Sequence, residues 1–201
     1  MRIVEPSVKL VHATPDPARI VEEMGRICYQ SSGETRGDFT RMLVKRGHGS
    51  VLEHVSAGFR IVTDRGVTHE LVRHRIASFS QESTRYCDYT GERFGGDLTL
   101  IEPPDLSPTS RASWQHGIEE AEQAYKDLRA TGVSPQIARS VLPNGLKSEI
   151  GMTANAREWR HFLKLRLSVA AHPQMRQIAE MLCVHLVEWF PAAFEEFQRG
   201  V

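Results

Sequence analysis

The sequence predicts an α+β protein in which long helices pack with a small, mostly antiparallel sheet and no Rossmann fold is present. Three observations lead there. Apolar residues recur at spacings of three and four over 114–128 and again over 159–163 and 175–189, the period of amphipathic helices. Two period-two runs, 55–61 and 146–152, stand far apart in the chain instead of alternating with helices in a βαβ series. No strand pattern runs into GxGxxG, so a flavin or dinucleotide would have to be held by Arg, His and Asn side chains.

Taken in order, residues 1–12 contain Val8, Leu10 and Val11, a short strand pattern. Asp16 and Pro17 suit N-cap and N1 of a helix that buries Ile20, Val21, Met24 and Ile27. A second helix carries Phe39, Met42 and Leu43 and stops near Gly47, where a left-handed C-cap is easy; 48–54 follow as an irregular loop. Val55, Ala57, Phe59 and Ile61 alternate with Ser56, Gly58, Arg60 and Val62 as a half-buried strand. Asp64 caps a short helix holding Val67, Leu71 and Val72, after which the chain runs on as loop or strand. Gly, Asp and Pro dominate 88–108, with one apolar piece at 98–101, which predicts a variable excursion.

Trp114, Ile118, Ala121, Tyr125 and Leu128 form one face of a long helix ending at Gly132. Ser134 and Pro135 open a short one that must end before Pro143, leaving Arg139 in its final turn. Asn144 and Gly145 mark a turn, and Leu146, Ser148, Ile150 and Met152 alternate as the second long strand. Asn155 caps a helix containing Trp159, Phe162 and Leu163. Pro173 opens the last long helix, with Met175, Ile178, Leu182, Leu186 and Trp189 on its face, and Pro191 ends it.

At 201 residues the chain is read as one domain, 1–201. Lys plus Arg and Asp plus Glu balance at 25 each, which removes the global attraction of a dedicated nucleic-acid binder and makes any anion site local. Cys28, Cys87 and Cys183 are odd in number and make no CxxC pair, no charged n-region leads into a long apolar stretch, and no apolar run approaches the ~20 residues of a membrane span. The reading is a cytoplasmic protein with reduced thiols, no membrane and no nucleic acid.

The most informative stretch is RHRIASFSQESTRY at 73–86. Arg73, His74 and Arg75 close the short helix. Ser83 and Arg85 lie two apart and would point the same way on an extended strip, where a hydroxyl and a guanidinium together suit a phosphate ester. For any single arginine, a cation favoured at a helix C-terminus is the plainer explanation.

Arg73, His74 and Arg75, then seven residues and Ser83, resemble the signature of flavin-dependent thymidylate synthases. GHGSVLEH at 47–54, ARSVLP at 138–143 and TANAREWRHFLKLR at 153–166 are similar to further motifs of that family, in the family's order over roughly 40–190. The resemblance implies FAD held by His48, Ser50, Arg73, His74, Arg75, Gln81, Asn155, Arg157 and His161. It implies dUMP held by Glu70, Arg73, Gln81, Glu82, Ser83, Thr84, Arg85, Arg139 and Arg166, with Arg85, Ser83 and Arg139 at the 5′-phosphate and backbone around Glu82 at the sugar. On the residues alone, Asn155 reads equally as a plain N-cap, and Arg157 with His161 as a solvated stripe.

Arg166 is the implied catalytic residue, a cation at the uracil N3 edge that favours the ring's anionic form and builds electron density toward C5. NADPH and 5,10-methylenetetrahydrofolate are the implied cosubstrates, dTMP and tetrahydrofolate the products, and a homotetramer with active sites shared between subunits the implied assembly. No enzyme cysteine nucleophile is needed, so Cys87 is read as incidental.

Two His/Glu sets, His48 with Glu53 and His54, and His69 with Glu70 and His74, invite a zinc reading, but neither has HExxH or CxxC spacing and no metal is expected. Gly49, Gln81 and Glu70 depart from residues common in relatives, which puts individual hydrogen bonds in question, as does a slightly long segment from Arg166 to His172 for His172 and Gln174. The competing readings are a non-catalytic nucleotide- or flavin-binding regulatory protein and a nucleic-acid binder using the arginine strip. The second lacks an aromatic stacking platform.

Overall fold

Ser148, Ile150, Met152 and Ala154 are buried while the residues between them are half-exposed, so the alternation in the sequence becomes strand β6 (Lys147–Asn155). The computed structural model describes residues 1–33, 35, 37–91 and 94–200. The other strands are β1 (Arg2–Ile3), β2 (Ser7–Ala13), β3 (Ser56–Asp64), β4 (Ala77–Gln81) and β5 (Thr99–Leu100). The helices are α1 (Pro17–Tyr29), α2 (Asp38–Lys45), α3 (Arg65–Leu71), α4 (Pro108–Ala130), α5 (Pro135–Ala138), α6 (Ala156–Arg166), α7 (Pro173–Trp189) and α8 (Pro191–Phe194). The class is the expected one, helices with a small antiparallel sheet of order β2-β3-β6-β4. The short pair β1 and β5 is parallel, with Arg2 opposite Thr99 and Ile3 opposite Leu100. No described helix is long and apolar enough to cross a membrane.

The chain divides into two compact units. The first comprises Met1–Pro6, Val62–Leu71 and Ser80–Ile150. Its core joins Leu98, Leu100, Ile118, Tyr125, Leu146 and Tyr89. The stretch 88–108, expected as an excursion, therefore supplies core: Leu98 N donates to the buried Glu122 at 2.9 Å, and β5 pairs with β1. Residues 92 and 93 of that stretch lie outside the described residues. Asp64 caps α3 as expected, its Oδ1 accepting from Val67 N at 2.8 Å, but α3 ends at Leu71 and leaves Val72 exposed. Ser107 caps α4, accepting from Ser110 N, and Gly132 (φ +84°) follows the helix in the left-handed conformation.

In the same unit Asp88 accepts from Arg129 Nη2 at 2.7 Å and from Thr90 Oγ1 at 2.7 Å. The hydrogen bond from Arg129, ahead of the Thr90 contacts, holds its carboxyl at about 2. A carboxyl depressed in the folded state stabilises it above the ordinary carboxylate range, and that contribution is lost as pH falls through about 2. Partial exposure reduces it to on the order of 1 kcal/mol. We expect Asp88→Asn to lower Tm at pH 7 by about 2–4 °C. In melts taken down a pH series, that gap should narrow below about pH 4; a gap independent of pH would count against the pair.

The second unit comprises Ser7–Ile61, Val72–Phe79 and Gly151–Val201. Trp159 and Phe162 of α6 are fully buried; Trp159 stacks edge-on against Phe59 at 5.2 Å and donates to Ala57 O at 3.0 Å. Trp189 of α7 is tied to Thr14 O at 2.9 Å.

Helix α1 is rotated from its expected face. Its buried residues are Pro17, Val21, Glu22 and Gly25, while Ile27 is 68% exposed. Gly25 explains this, because a Cβ there would stand 2.7 Å from Leu43 of α2, so α2 sits directly on the α1 backbone. Glu22 is buried because it accepts from Thr35 N, Thr35 Oγ1 and Gly37 N at 2.7–3.1 Å. Asp16 is not an ordinary cap either: it is left-handed (φ 47°) with no side-chain cap bond, and pairs instead with Arg19 at 3.3 Å. The expected loop 48–54 is a 3₁₀ turn, Gly49–His54, entered through Gly47 at φ +77°.

Candidate active site

Asn155 sits at the hinge between strand and helix. Its Oδ1 accepts from Glu158 N at 2.9 Å, so it is the N-cap of α6. From that start the helix presents Arg157 and His161, one turn apart, to two cavities. One, of about 350 Å³, is lined by Glu53, Ile76, Asn155, Arg157, Glu158 and His161. The other, of about 230 Å³, includes Gly47, Gly49, Leu52, Arg157, His161 and Lys164. Arg157 is held by Glu53 at 2.5 Å. A Cβ on Gly49 would come 3.1 Å from Arg157 Nε, so a larger residue there would press the Arg157 side chain aside. Arg157 and His161 are both exposed and both line these cavities.

His74 is the one member of the signature triplet that is buried, at 5% exposed; Arg73 and Arg75 flank it as exposed cations without a side-chain hydrogen bond or ion pair among the described residues. Its Nδ1 meets Glu158 Oε1 at 3.2 Å and its Nε2 meets Arg166 Nε at 3.1 Å. Phe162 packs on the ring at 4.9 Å between centroids, and His161 stands at 6.0 Å. Burial above all holds the imidazole below the ordinary histidine range, helped by the Arg166 charge and opposed by Glu158. His48 makes a long contact, 3.4 Å, with the Tyr29 hydroxyl, and Ser50 is exposed in the 3₁₀ turn; neither touches the His74 group.

The predicted nucleotide residues fall mostly in the first unit. Strand β4 ends at Gln81 and 84–86 form a turn, so the extended strip expected to aim Ser83 and Arg85 alike does not exist. Instead Ser83 Oγ accepts from Arg85 N at 3.3 Å, and Arg85 Nε donates to Gln136 at 3.1 Å. Gln81 Nε2 donates to Thr68 and Ser148 at 2.8 and 3.2 Å. Glu82 is committed to the scaffold: its carboxylate accepts from Tyr89 and Lys147, both at 2.9 Å, and its backbone N donates to Glu149 O at 2.9 Å. Of the backbone around Glu82 expected at a sugar, the Glu82 N–H is thus bonded within the chain. Glu70 is half-buried in α3. A cavity of about 660 Å³ is lined by Arg65, His69, Thr84, Gln136 and Arg139 among others, with no carboxylate in the lining. Arg139 reaches Thr84 Oγ1 at 3.4 Å.

A family model described as Thymidylate synthase complementing protein matches residues 9–192. A flavin-dependent thymidylate synthase of Geobacter sulfurreducens is 40% identical over 189 residues, spanning 87% of this chain and 80% of the relative. The chain belongs to the flavin-dependent thymidylate synthase family. A member from Mycobacterium avium is 34% identical over 89% of this chain and 79% of its own length. Among solved structures, a UMP/dUMP methylase, PolB of Streptomyces cacaoi, bound with 5-Br dUMP, superposes with a TM-score of 0.82 at 25% identity, covering 99% of this chain and 97% of that one.

In this family member neither His/Glu set singled out for zinc forms a metal-sized group among the described residues. The described residues that do cluster are His74, Glu158 and His161, with ligand atoms within 4.8 Å of one another. Arg166 Nε can only donate, so His74 Nε2 is an occupied acceptor, and Nδ1 carries the proton shared with Glu158. His74 has no spare lone pair for a metal, and a guanidinium stands beside it. The sequence reading missed Glu158, Ile76, Lys147 and Arg65, and met His69 only as a candidate zinc ligand. Glu158 had a signal, since it precedes Arg166 by eight residues, two turns along one helix face. Arg65 and His69 had none, because the cavity they line also draws on 136–144.

Proposed function

We propose that the chain, acting as one catalytic domain, carries out the FAD-dependent reductive methylation of dUMP to dTMP, with 5,10-methylenetetrahydrofolate as carbon donor, NADPH as reductant and no enzyme cysteine nucleophile. The observation that carries this is the meeting of the signature with the helix motif: His74 and Arg166, 92 residues apart in sequence, bond at 3.1 Å inside a family member.

The residues fit a flavin. Two cavities share the cation Arg157 and the imidazole His161, suited to phosphate and ring oxygens; Gly49 leaves room that a Cβ would fill, and Ile76, 70% exposed, offers an apolar wall. Arg157, His161 and Asn155 would hold the cofactor with Arg73, Arg75, Ser50 and His48. Bound FAD supplies the redox chemistry, drawing on NADPH for the hydride that completes the methyl group.

The chain's own residues supply charge and orientation. Arg166 presents its cation to the uracil N3 edge, stabilising the anionic ring without a covalent bond. Arg85, Arg139, Ser83 and Thr84 take the 5′-phosphate, with Gln81 and Glu70 near the base and sugar. Cys87 has no part. Exposed apolar side chains, Val11, Ile27, Ile76 and Val184, support a homotetramer, in which Arg73 to Arg75 and Gln81 to Arg85 would serve one pocket from different chains. Three cysteines outside any disulfide fit a cytoplasmic location.

The test is direct. Purified protein should be yellow, release FAD on denaturation, bleach with NADPH faster when dUMP is present, and release tritium from 5-labelled dUMP in the presence of the folate. A colourless protein that cannot be reconstituted with FAD and releases no tritium would overturn the reading.

A further inference from the structure

We infer that Glu158 is a positioning residue: acting through His74, it holds the Arg166 guanidinium in the orientation that the uracil edge requires. This rests on the role proposed above for Arg166. Glu158 is 6% exposed. Its backbone N–H is already satisfied by Asn155, so the helix start does not need its carboxylate, which turns instead to His74 Nδ1. A buried carboxylate is costly unless hydrogen-bonded, and the His74 N–H is the partner this one has.

One helix supplies both ends of the chain of contacts. Glu158 and Arg166 lie eight residues apart on α6, about 12 Å along its axis, and the His74 ring bridges them. The donors fix the protons. Arg166 Nε always donates, so Nε2 must be bare; the remaining proton sits on Nδ1, and a carboxylate is the group that accepts it. The guanidinium is thereby oriented through its Nε edge by a neutral imidazole whose tautomer Glu158 selects. The charged or titratable groups facing His74 are Glu158, Arg166 and His161, with Phe162 closing the ring face.

Two consequences separate this from simple structural support. Protonating His74 would set an N–H of Nε2 against the N–H of Arg166, and the guanidinium must then turn away, so activity has an acid limb governed by His74. Glu158 raises the affinity of His74 for that proton, so neutralising Glu158 moves the limb to lower pH.

The FAD-loaded enzyme and its Glu158→Gln and Glu158→Leu variants are compared by tritium release from 5-labelled dUMP across pH, and by ¹⁵N NMR of the imidazoles, with the His74 signals identified by their loss in His74→Gln. The wild type should show His74 protonated at Nδ1. Glu158→Leu should lose that tautomer and about tenfold or more in kcat, the scale on which outer partners of a reacting group act, with KM for dUMP changed less than about twofold. Glu158→Gln keeps an acceptor oxygen, so it should retain more of the rate than Glu158→Leu, with the acid limb displaced downward. Wild-type His74 protonated at Nε2, a fully active Glu158→Leu enzyme, or an unmoved limb in Glu158→Gln would each overturn the inference. If Glu158→Leu does not fold, the tautomer and the Glu158→Gln limb decide. A fully active Arg166→Ala enzyme would instead overturn the reading of the site, whereas an inactive Arg166→Ala beside a fully active Glu158→Leu would overturn the positioning alone.

Discussion

Arg166→Ala should abolish most of the turnover, lowering kcat for tritium release from 5-labelled dUMP by about 10²–10³-fold, the loss seen when one preorganised charge or donor is taken from a reacting oxygen or ring anion. The physical reason is the weakness of uracil C5 as a nucleophile. Without a thiolate adding at C6, electron density reaches C5 only if the ring's anionic form is stabilised, and in the role proposed for it the half-buried Arg166 guanidinium would do this without having to reorganise. FAD content should change little and the melting temperature should fall only modestly, because Arg166 sits half-buried in the last turn of α6, where losing its bond to His74 and its other contacts leaves the apolar core intact. Arg166→Lys should recover only part of the rate: it restores the charge but not the planar fork that meets His74 and a carbonyl edge together. A variant with alanine here that turns over within about threefold of the wild type would remove Arg166 from the chemistry.

The parts of this protein that could be read from sequence are those whose causes are local. Asn155 as N-cap, Asp64 as N-cap and the alternation through Met152 follow from backbone chemistry within a few residues, and each appears in the structure. The errors come where a distant partner overrides a local pattern. Ile27 reads as core until α2 is seated on Gly25, and Glu22 reads as surface until Thr35 and Gly37 donate to it. The Gly- and Pro-rich stretch around Leu98 reads as an excursion because its partner strand, β1, is only two residues long and carries no pattern of its own. At the site, residue types were legible but their commitments were not. Glu82 looks available until Tyr89 and Lys147 take both its oxygens. His74 reads from sequence as a cofactor residue with two open nitrogens, and the folded chain pairs both, with Glu158 and Arg166. Polar side chains have many potential partners, and only the folded chain selects among them.

The second large effect should come from Arg139. It lies on the short 3₁₀ turn Arg139–Val141, exposed, and among the described residues it has a single long contact, to Thr84, and no carboxylate in the cavity it lines. A cation held in place but unpaired is an anion site in waiting, since it loses no ion pair when a phosphate arrives. Charge-assisted bonds of this kind contribute about 1.5–3 kcal/mol each, so Arg139→Ala should raise KM for dUMP by about 10–150-fold while kcat at saturation falls far less. Arg85→Ala should act in the same direction, and Gln136, which accepts from Arg85 and lines the same cavity, links the two arginines. Because both would grip one phosphate, their losses should not add: the double variant should be weaker than either single one but short of the product of the two. Binding of deoxyuridine, which lacks the phosphate, should be nearly indifferent to either change, and the nucleotide's advantage should shrink as salt rises. An unchanged KM for dUMP in Arg139→Ala, or equal losses for nucleotide and nucleoside, would move the phosphate out of this cavity.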